Sequence, residues 1–218
     1  MCLIFQELQS VAEGGPYNLV GYSFGACIAF EMALQLQGAG KAVKLSLLDG
    51  SHAYVAAHTE ERRGTEAEDE TEALCAFILQ FCPTMDYKEL QQNLLKQETF
   101  SGRLKLTDKV LREKTKFPDN CQITAAAKSF YRKLLVAAEY KPEKKLKLSE
   151  GSCEVTLIKA ENGTHEAAKL GADYGLGKVV EGEMEIVVHS VSGDHTSFIQ
   201  NEAAKTVADI LTGKKMAV

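Results

Sequence analysis

The chain has 218 residues, 45% of them hydrophobic and 25% charged, enough apolar content for one large domain, or one domain with an insertion, to bury a core. Its net charge is -5, with no basic stripe, which argues against nucleic acid as a partner. No apolar run approaches the ~18 residues that a membrane-spanning helix needs.

The opening stretch Met1-Cys2-Leu3-Ile4-Phe5-Gln6-Glu7-Leu8 is apolar at helical spacing, predicting a helix over 3–12. It lacks the basic start and the small-residue cleavage site of a signal peptide. Gly14-Gly15-Pro16 breaks that helix, and Tyr17-Asn18-Leu19-Val20 suits a short buried strand. Gly21-Tyr22-Ser23-Phe24-Gly25 follows, then a helical stretch over 26–37 whose Ile28, Phe30, Met32, Ala33 and Leu36 predict a core-facing surface. Gly38-Ala39-Gly40-Lys41 resembles a phosphate loop only faintly, lacking the leading glycine and the Ser/Thr after the lysine. It reads as a helix stop. Residues 43–48 predict a second strand, ended by Asp49-Gly50. Strand, helix, strand at this spacing is a right-handed βαβ unit in a parallel sheet.

Over 59–149 the sequence turns charge-rich and helical, with no clear strand. Leu74, Phe77, Ile78 and Phe81 fall at i, i+3, i+4 and i+7, and Ala127, Phe130, Tyr131, Leu134, Leu135 and Ala138 form a second stripe. Shorter helices are expected over 89–97 and 107–116, and 141–147 reads as a solvated connector. The sheet resumes with strands over 155–158 and 185–191. The loop Ser192-Gly193-Asp194-His195 precedes a closing helix over 196–211, with Phe198, Ile199, Val207, Ile210 and Leu211 inward. The expected division is a sheet core of 1–58 plus 150–218 and an all-helical lid of 59–149.

The six cysteines form no C-x-x-C pair, and no His/Cys spacing suggests a metal site. Without a secretory signal they read as free thiols in a reducing cytoplasm, which leaves the Asn162-Gly163-Thr164 sequon idle.

Gly21-x-Ser23-x-Gly25 matches the G-x-S-x-G elbow, in which a strained strand-to-helix turn presents a serine nucleophile at the edge of an α/β-hydrolase sheet. Three fixed positions match by chance in roughly one chain of this size in fifteen, so the flanking strand and helix carry the reading. The glycines are expected to avoid clashes where strand and helix approach closely. A serine hydroxyl needs a base. Of five histidines, His195 holds the position after the last strand that the fold's chain order requires. His189 reads as a packed strand residue, His52 and His58 as surface residues, and His165 as part of a polar loop. For the acid that orients the base, Asp49 and Glu161 end strands and Asp173 lies in a loop; spacing does not choose among them. Asp194 adjoins His195, so its side chain is expected to point elsewhere. The backbone N–H of Phe24, opening a helix, is one oxyanion donor. Phe77, Ile78, Phe81, Phe130 and Leu134 of the helical segment are candidates to line an acyl groove.

Gly15-Pro16-Tyr17, residues 21–27, Ala29-Phe30-Glu31-Met32, Leu48-Asp49-Gly50-Ser51, residues 129–134, residues 170–174 and Gly193-Asp194-His195 together resemble the C-terminal thioesterase domain of animal fatty acid synthase. The likeness runs through nearly the whole chain. It implies hydrolysis of a finished long-chain acyl group, mainly palmitoyl, from the phosphopantetheine arm of acyl carrier protein, within a multidomain synthase and with no cofactor in this domain. It also implies Asp49 as the acid beside Ser23 and His195. That family carries further strands, and a loop giving a second oxyanion N–H, ahead of the position matching Met1. The expectation is therefore an N-terminally truncated hydrolase, weak or inactive alone. Two other readings stay open: a free-standing thioesterase or lipase, and an inactive acyl-binding or interaction module.

Overall fold

The computed structural model describes residues 16–60, 64–163 and 165–214; the helix expected over 3–12 lies outside them. In strand β1 (Tyr17–Tyr22), Tyr17 and Leu19 are buried while Asn18 and Val20 are exposed. Helix α1 (Phe24–Gly38) buries the small residues Ala26, Ala29 and Ala33 together with Phe30 and Leu36, so its axis can lie close to the sheet. Strand β2 (Val43–Leu48) and helix α2 (His52–Glu60) follow. Next come helices α3 (Glu66–Leu79), α4 (Tyr87–Leu95), α5 (Phe100–Lys114) and α6 (Ile123–Glu139). The rest comprises β3 (Leu146–Leu148), β4 (Cys153–Ala160), α7 (His165–Lys169), β5 (Val180–Gly182), β6 (Val187–Val191) and α8 (Asn201–Thr212), with single 3-10 turns at Leu176–Lys178 and Ser197–Ile199.

The main sheet has the order β1-β2-β4-β6, and every pairing in it is parallel. Tyr22 lies opposite Leu48, and Leu48 opposite Ile158. With all strands parallel, their carboxyl ends share one edge, and the segments leaving that edge carry Ser23, Asp49, Glu161 and His195. This is the edge where open α/β sheets gather ligands. The sheet and helices have the architecture of an α/β-hydrolase, and among the described residues no helix is long and apolar enough to cross a membrane.

The chain divides into two compact units. One takes in the described residues through Ala57 and those from Tyr140 onward; the other is His58–Glu139. The helical unit has its own core of Leu74, Ile78, Leu94, Leu104, Leu111 and Ala127. Three of its helices begin at side-chain caps. Thr65 and Glu68 form a reciprocal capping box, Asp86 accepts from the Glu89 N–H at 2.8 Å, and Thr99 accepts from the Gly102 N–H at 3.1 Å. A buried ion pair between Glu70 and Arg103 joins α3 to α5, with Arg103 Nε 3.0 Å from Glu70 Oε2.

Several expectations are corrected. The helical unit ends at Glu139, not at 149, because the supposed connector contains β3, paired in parallel with β5 in a second, two-stranded sheet. The Gln37 side chain, at the end of α1, grips the Lys147 backbone on both sides, at 2.7 and 2.8 Å. Helix α5 starts at Phe100 rather than 107, under its Thr99 cap. Ile28 and Leu211, expected inward, are each 38% exposed. The closing helix is broken: Gln200 is extended and Asn201 takes φ 51°, an angle asparagine tolerates. The described cysteines, Cys27, Cys75, Cys82, Cys121 and Cys153, are all free thiols; Cys2 lies outside the described residues.

Candidate active site

Ser23 sits between β1 and α1 with φ 53° and ψ -123°, a conformation that costs a non-glycine residue energy and marks functional turns. Its backbone N–H donates to Leu48 O at 3.0 Å, and its carbonyl accepts from Ala26 N at 2.9 Å. The turn is thereby tied to β2 and to its own helix. The two motif glycines differ. A Cβ on Gly21 would meet Gly25 O at 2.4 Å and Ala29 Cβ at 2.7 Å, whereas a Cβ on Gly25 would meet nothing within 4 Å. The clash expected at both glycines thus holds for Gly21 alone. Gly50 plays the second part instead: a Cβ there would lie 2.5 Å from Ser23 O and 3.0 Å from Ser23 Cα. Phe24 opens α1, where backbone N–H groups lack intrahelical acceptors and the helix dipole favours negative charge.

His195 is presented by the loop after β6. Gly193 adopts φ 115°, and a Cβ there would meet Phe198 N at 2.8 Å. The Asp194 carboxylate turns away from His195, accepting from the N–H groups of Thr196 and Ser197 and from the Thr196 hydroxyl, each at 2.9 Å. Those bonds, led by the Ser197 backbone, draw its pKa down to about 2. His195 Nε2 lies 2.9 Å from Ser23 Oγ, and Nδ1 lies 2.7 Å from Asp49 Oδ2. An ionised carboxylate can only accept, so Nδ1 carries the proton and Nε2 is free to accept from the serine hydroxyl. Asp49 is fully buried and has φ 42°. Its Oδ1 accepts from the Ala160 N–H at 3.0 Å and the Tyr174 hydroxyl at 2.9 Å. Burial alone would raise the Asp49 pKa. Hydrogen bonds from His195, Ala160 and Tyr174 outweigh burial and hold the carboxyl below its ordinary value.

The other carboxylates have different work or none here. Glu161 is exposed. Asp173 accepts from the Gly175 and Gly177 N–H groups at 3.0 and 2.7 Å, closing its own turn. His52, expected at the surface, instead has Nδ1 buried without a hydrogen-bond partner; burial first, then the charge of Lys178, lowers its pKa. His189 is half-buried on β6. The side chains of His58 and His165 are outside the described part. Of the groove candidates, Phe77 and Ile78 are buried in the core of the helical unit, and Phe130 packs against that core. Ile78 has no exposed surface, because a four-helix unit of this size must fill its own interior. Leu134 is half-buried. Phe81 is 44% exposed and lines a groove of about 680 Å³ with Met85, Leu90, Leu106 and Val110.

Three tyrosines and a serine that sequence reasoning assigned no role lie around Ser23, His195 and Asp49. The Tyr22 hydroxyl donates to the His195 carbonyl at 2.7 Å, and its ring stacks on the imidazole with centroids 5.0 Å apart. Burial, reinforced by the charges of Asp49 and Asp194, pushes Tyr22 up to about 12. The Tyr54 ring is nearly parallel to both His195, at 5.9 Å, and Tyr174, at 4.9 Å. Ser51 Oγ donates to the Tyr174 carbonyl at 2.7 Å and accepts from the Tyr54 N–H at 2.9 Å. No periodicity links these positions, which come from separate segments; Tyr22, Ser51 and Tyr174 stand in the segments that carry the resemblance but without a role, and Tyr54 stands in none.

Among the described residues, no group of three or more His, Cys, Asp or Glu side chains is placed to hold a metal ion. Comparison with known proteins then decides the family: the profile described as Thioesterase domain matches residues 2–214. The chain belongs to the thioesterase family. Indigoidine synthase of Streptomyces lavendulae is 53% identical over 38 residues, 17% of this thioesterase chain and 3% of that protein. A four-domain nonribosomal peptide synthetase, solved in its holo form with AMP and glycine, superposes with TM-score 0.74 at 19% identity, covering 100% of this chain and 16% of that one. Human thioesterase 2 superposes with TM-score 0.56 at 15% identity, covering 99% of this chain and 82% of the human one. The thioesterase chain therefore spans only a small part of the synthase and the synthetase, and at these identities the superpositions establish the shared fold.

Proposed function

We propose that this thioesterase hydrolyses long-chain fatty acyl thioesters of palmitoyl type, delivered on the phosphopantetheine arm of an acyl carrier protein, and so ends fatty acid synthesis in the cytoplasm. The observation that carries the chemistry is the run of contacts from Ser23 Oγ to His195 Nε2 at 2.9 Å and from His195 Nδ1 to Asp49 Oδ2 at 2.7 Å. The acyl specificity and the carrier rest on the sequence resemblance to the fatty acid synthase domain.

In this mechanism Ser23 Oγ attacks the thioester carbonyl while His195 Nε2 takes the hydroxyl proton. Asp49 faces the imidazolium that forms and keeps it in orientation. The Phe24 N–H, at the positive end of α1, stabilises the oxyanion. Collapse of the tetrahedral intermediate breaks the C–S bond, and His195 returns the proton to the leaving thiol. Water, deprotonated by His195, attacks the acyl-serine; the second collapse frees the fatty acid and restores Ser23. No step asks for a metal or a cofactor in this domain.

A second reading, a peptidyl substrate on a peptidyl carrier, is favoured by the likeness to a nonribosomal peptide synthetase. Two measurements separate the possibilities. A serine-directed fluorophosphonate should label the chain, and Ser23→Ala should abolish labelling; no labelling of the wild type would leave an inactive module. Turnover of palmitoyl-pantetheine should exceed that of aminoacyl- and peptidyl-pantetheine, and Ser23→Ala should lower it by on the order of 10⁴–10⁶. The reverse preference favours the peptidyl reading.

A further inference from the structure

The non-glycine residues at positive φ among those described are Ser23, Asp49, Tyr174 and Asn201. Asparagine adopts this conformation readily, whereas a tyrosine held at φ 53° is strained and needs surroundings that hold it there. Ser23 and Asp49 belong to the proposed acyl-transfer site. Tyr174, between α7 and the Leu176–Lys178 turn, is held by three contacts. Ser51 Oγ donates to its carbonyl at 2.7 Å, its ring stacks on Tyr54, and its hydroxyl donates to Asp49 Oδ1 at 2.9 Å.

Packing alone does not account for the hydroxyl. A phenylalanine would fill the same space, and a buried hydroxyl is costly unless it is bonded. Its partner is the carboxylate oxygen opposite the one that holds His195. The two oxygens share one charge, so a donor at Oδ1 draws charge away from Oδ2 and weakens the support Oδ2 gives to an imidazolium. It also fixes the plane of the carboxylate, together with the Ala160 N–H.

We propose that Tyr174 is a positioning residue of this site, holding Asp49 so that Oδ2 faces His195 and limiting how strongly Asp49 favours the charged imidazole. The inference rests on the reading of Ser23, His195 and Asp49 as an acyl-transfer site. Ser51 supports it from behind by fixing both the Tyr174 carbonyl and the start of the helix that carries Tyr54. The other titratable or charged groups facing this cluster are Tyr22 from β1, Tyr54 from α2 and Lys159 from β4, whose Nζ lies 5.2 Å over the Tyr174 ring; the Asp194 carboxylate, turned into its own loop, acts on Tyr22 through its charge. All of them are left in place by the test.

The test is a histidine NMR titration of wild type and Tyr174→Phe, paired with the pH dependence of fluorophosphonate labelling. In Tyr174→Phe the His195 titration midpoint should move upward by roughly half a unit to one unit, and the acidic limb of labelling should move with it. Labelling at pH 7 should fall by up to about three- to ten-fold, the limit that such shifts set. A purely structural role would lower the folded fraction and leave both midpoints where they were, which overturns the proposal. Ser51→Ala should shift the midpoint the same way by less; if Tyr174→Phe does not fold, an unmoved midpoint in folded Ser51→Ala overturns it equally. A wild type that fails to label, yet whose His195 midpoint moves on Tyr174→Phe, supports the coupling and sinks the acyl-transfer reading instead.

Discussion

Gly50 is as much a part of the elbow as the glycines of the motif itself. A side chain at Gly21 or Gly50 would collide with the backbone of the turn, while the space beside Gly25 is open. Gly50→Ala is expected to destabilise by about 1–3 kcal/mol, because overpacking must be relieved by moving backbone. It should also slow fluorophosphonate labelling on the order of 100-fold, since a small displacement of a nucleophile is costly. Gly21→Ala should behave similarly. Gly25→Ala should label at close to the wild-type rate and be stabilised by up to about 1 kcal/mol, through the lower entropy of its unfolded chain. Chemical denaturation and labelling kinetics on the three variants measure this, and a Gly25→Ala as impaired as Gly50→Ala would refute it. The motif made Ser23 legible, and chain order made His195 legible. Asp49 needed the family resemblance, because spacing left three carboxylates in play until the fold put one of them 2.7 Å from Nδ1. Tyr22, Tyr54 and Tyr174 were not legible, because what unites them is a meeting point at strand ends rather than any repeat along the chain.

Helices α3, α4 and α5 are capped at their N-termini by Thr65, Asp86 and Thr99, and a buried ion pair pins α3 to α5. Glu70 and Arg103 are both buried, and the guanidinium also donates to Gln97 O. Removing one partner strands a charge in an apolar interior. Arg103→Leu is expected to cost about 3–5 kcal/mol, and the double variant Glu70→Leu/Arg103→Leu to recover most of that loss. Thermal unfolding of the single and double variants checks this; a double variant no more stable than Arg103→Leu would refute it. Such pairing is invisible in sequence, where both residues sit in a charge-rich segment and Arg103 precedes the helix expected over 107–116. Helix periodicity was readable in this unit, as the Leu74-Phe77-Ile78 spacing shows. The start of α5 was not, because Ser101-Gly102 depress helix propensity and the Thr99 cap outweighs them. Strand β3 was unreadable for a different reason. Two leucines among lysines are too short an alternation to register, and what makes them a strand is the distant partner β5.

At the scale of the whole molecule, the two units should respond differently to acid. The sheet unit contains His52, at the start of α2, with Nδ1 buried and unpartnered and a pKa lowered by burial and by Lys178. A histidine whose folded pKa lies below its unfolded value binds fewer protons when folded, so the unfolded state gains as protons become available. The sheet unit should therefore be most stable above the unfolded value of about 6.5. It should lose stability as pH falls toward the depressed folded value, with a slope of at most about 1.4 kcal/mol per pH unit from this one group. Asp49 adds a second, lower window: its depressed carboxyl contributes stability that disappears only as pH falls from about 3.9 through the folded value. Hydrogen exchange resolved by segment separates these effects. Between pH 7.5 and 5.5, protection in β2 and β4 should fall while protection in α3 changes little, after correction for the intrinsic pH dependence of exchange. His52→Phe should remove most of that fall, because a neutral ring of similar shape has no proton to gain. If β2 and β4 in His52→Phe lose protection as steeply as in the wild type, His52 is not the group that acid acts on, and the strand-end cluster around Asp49 and His195 becomes the place to look.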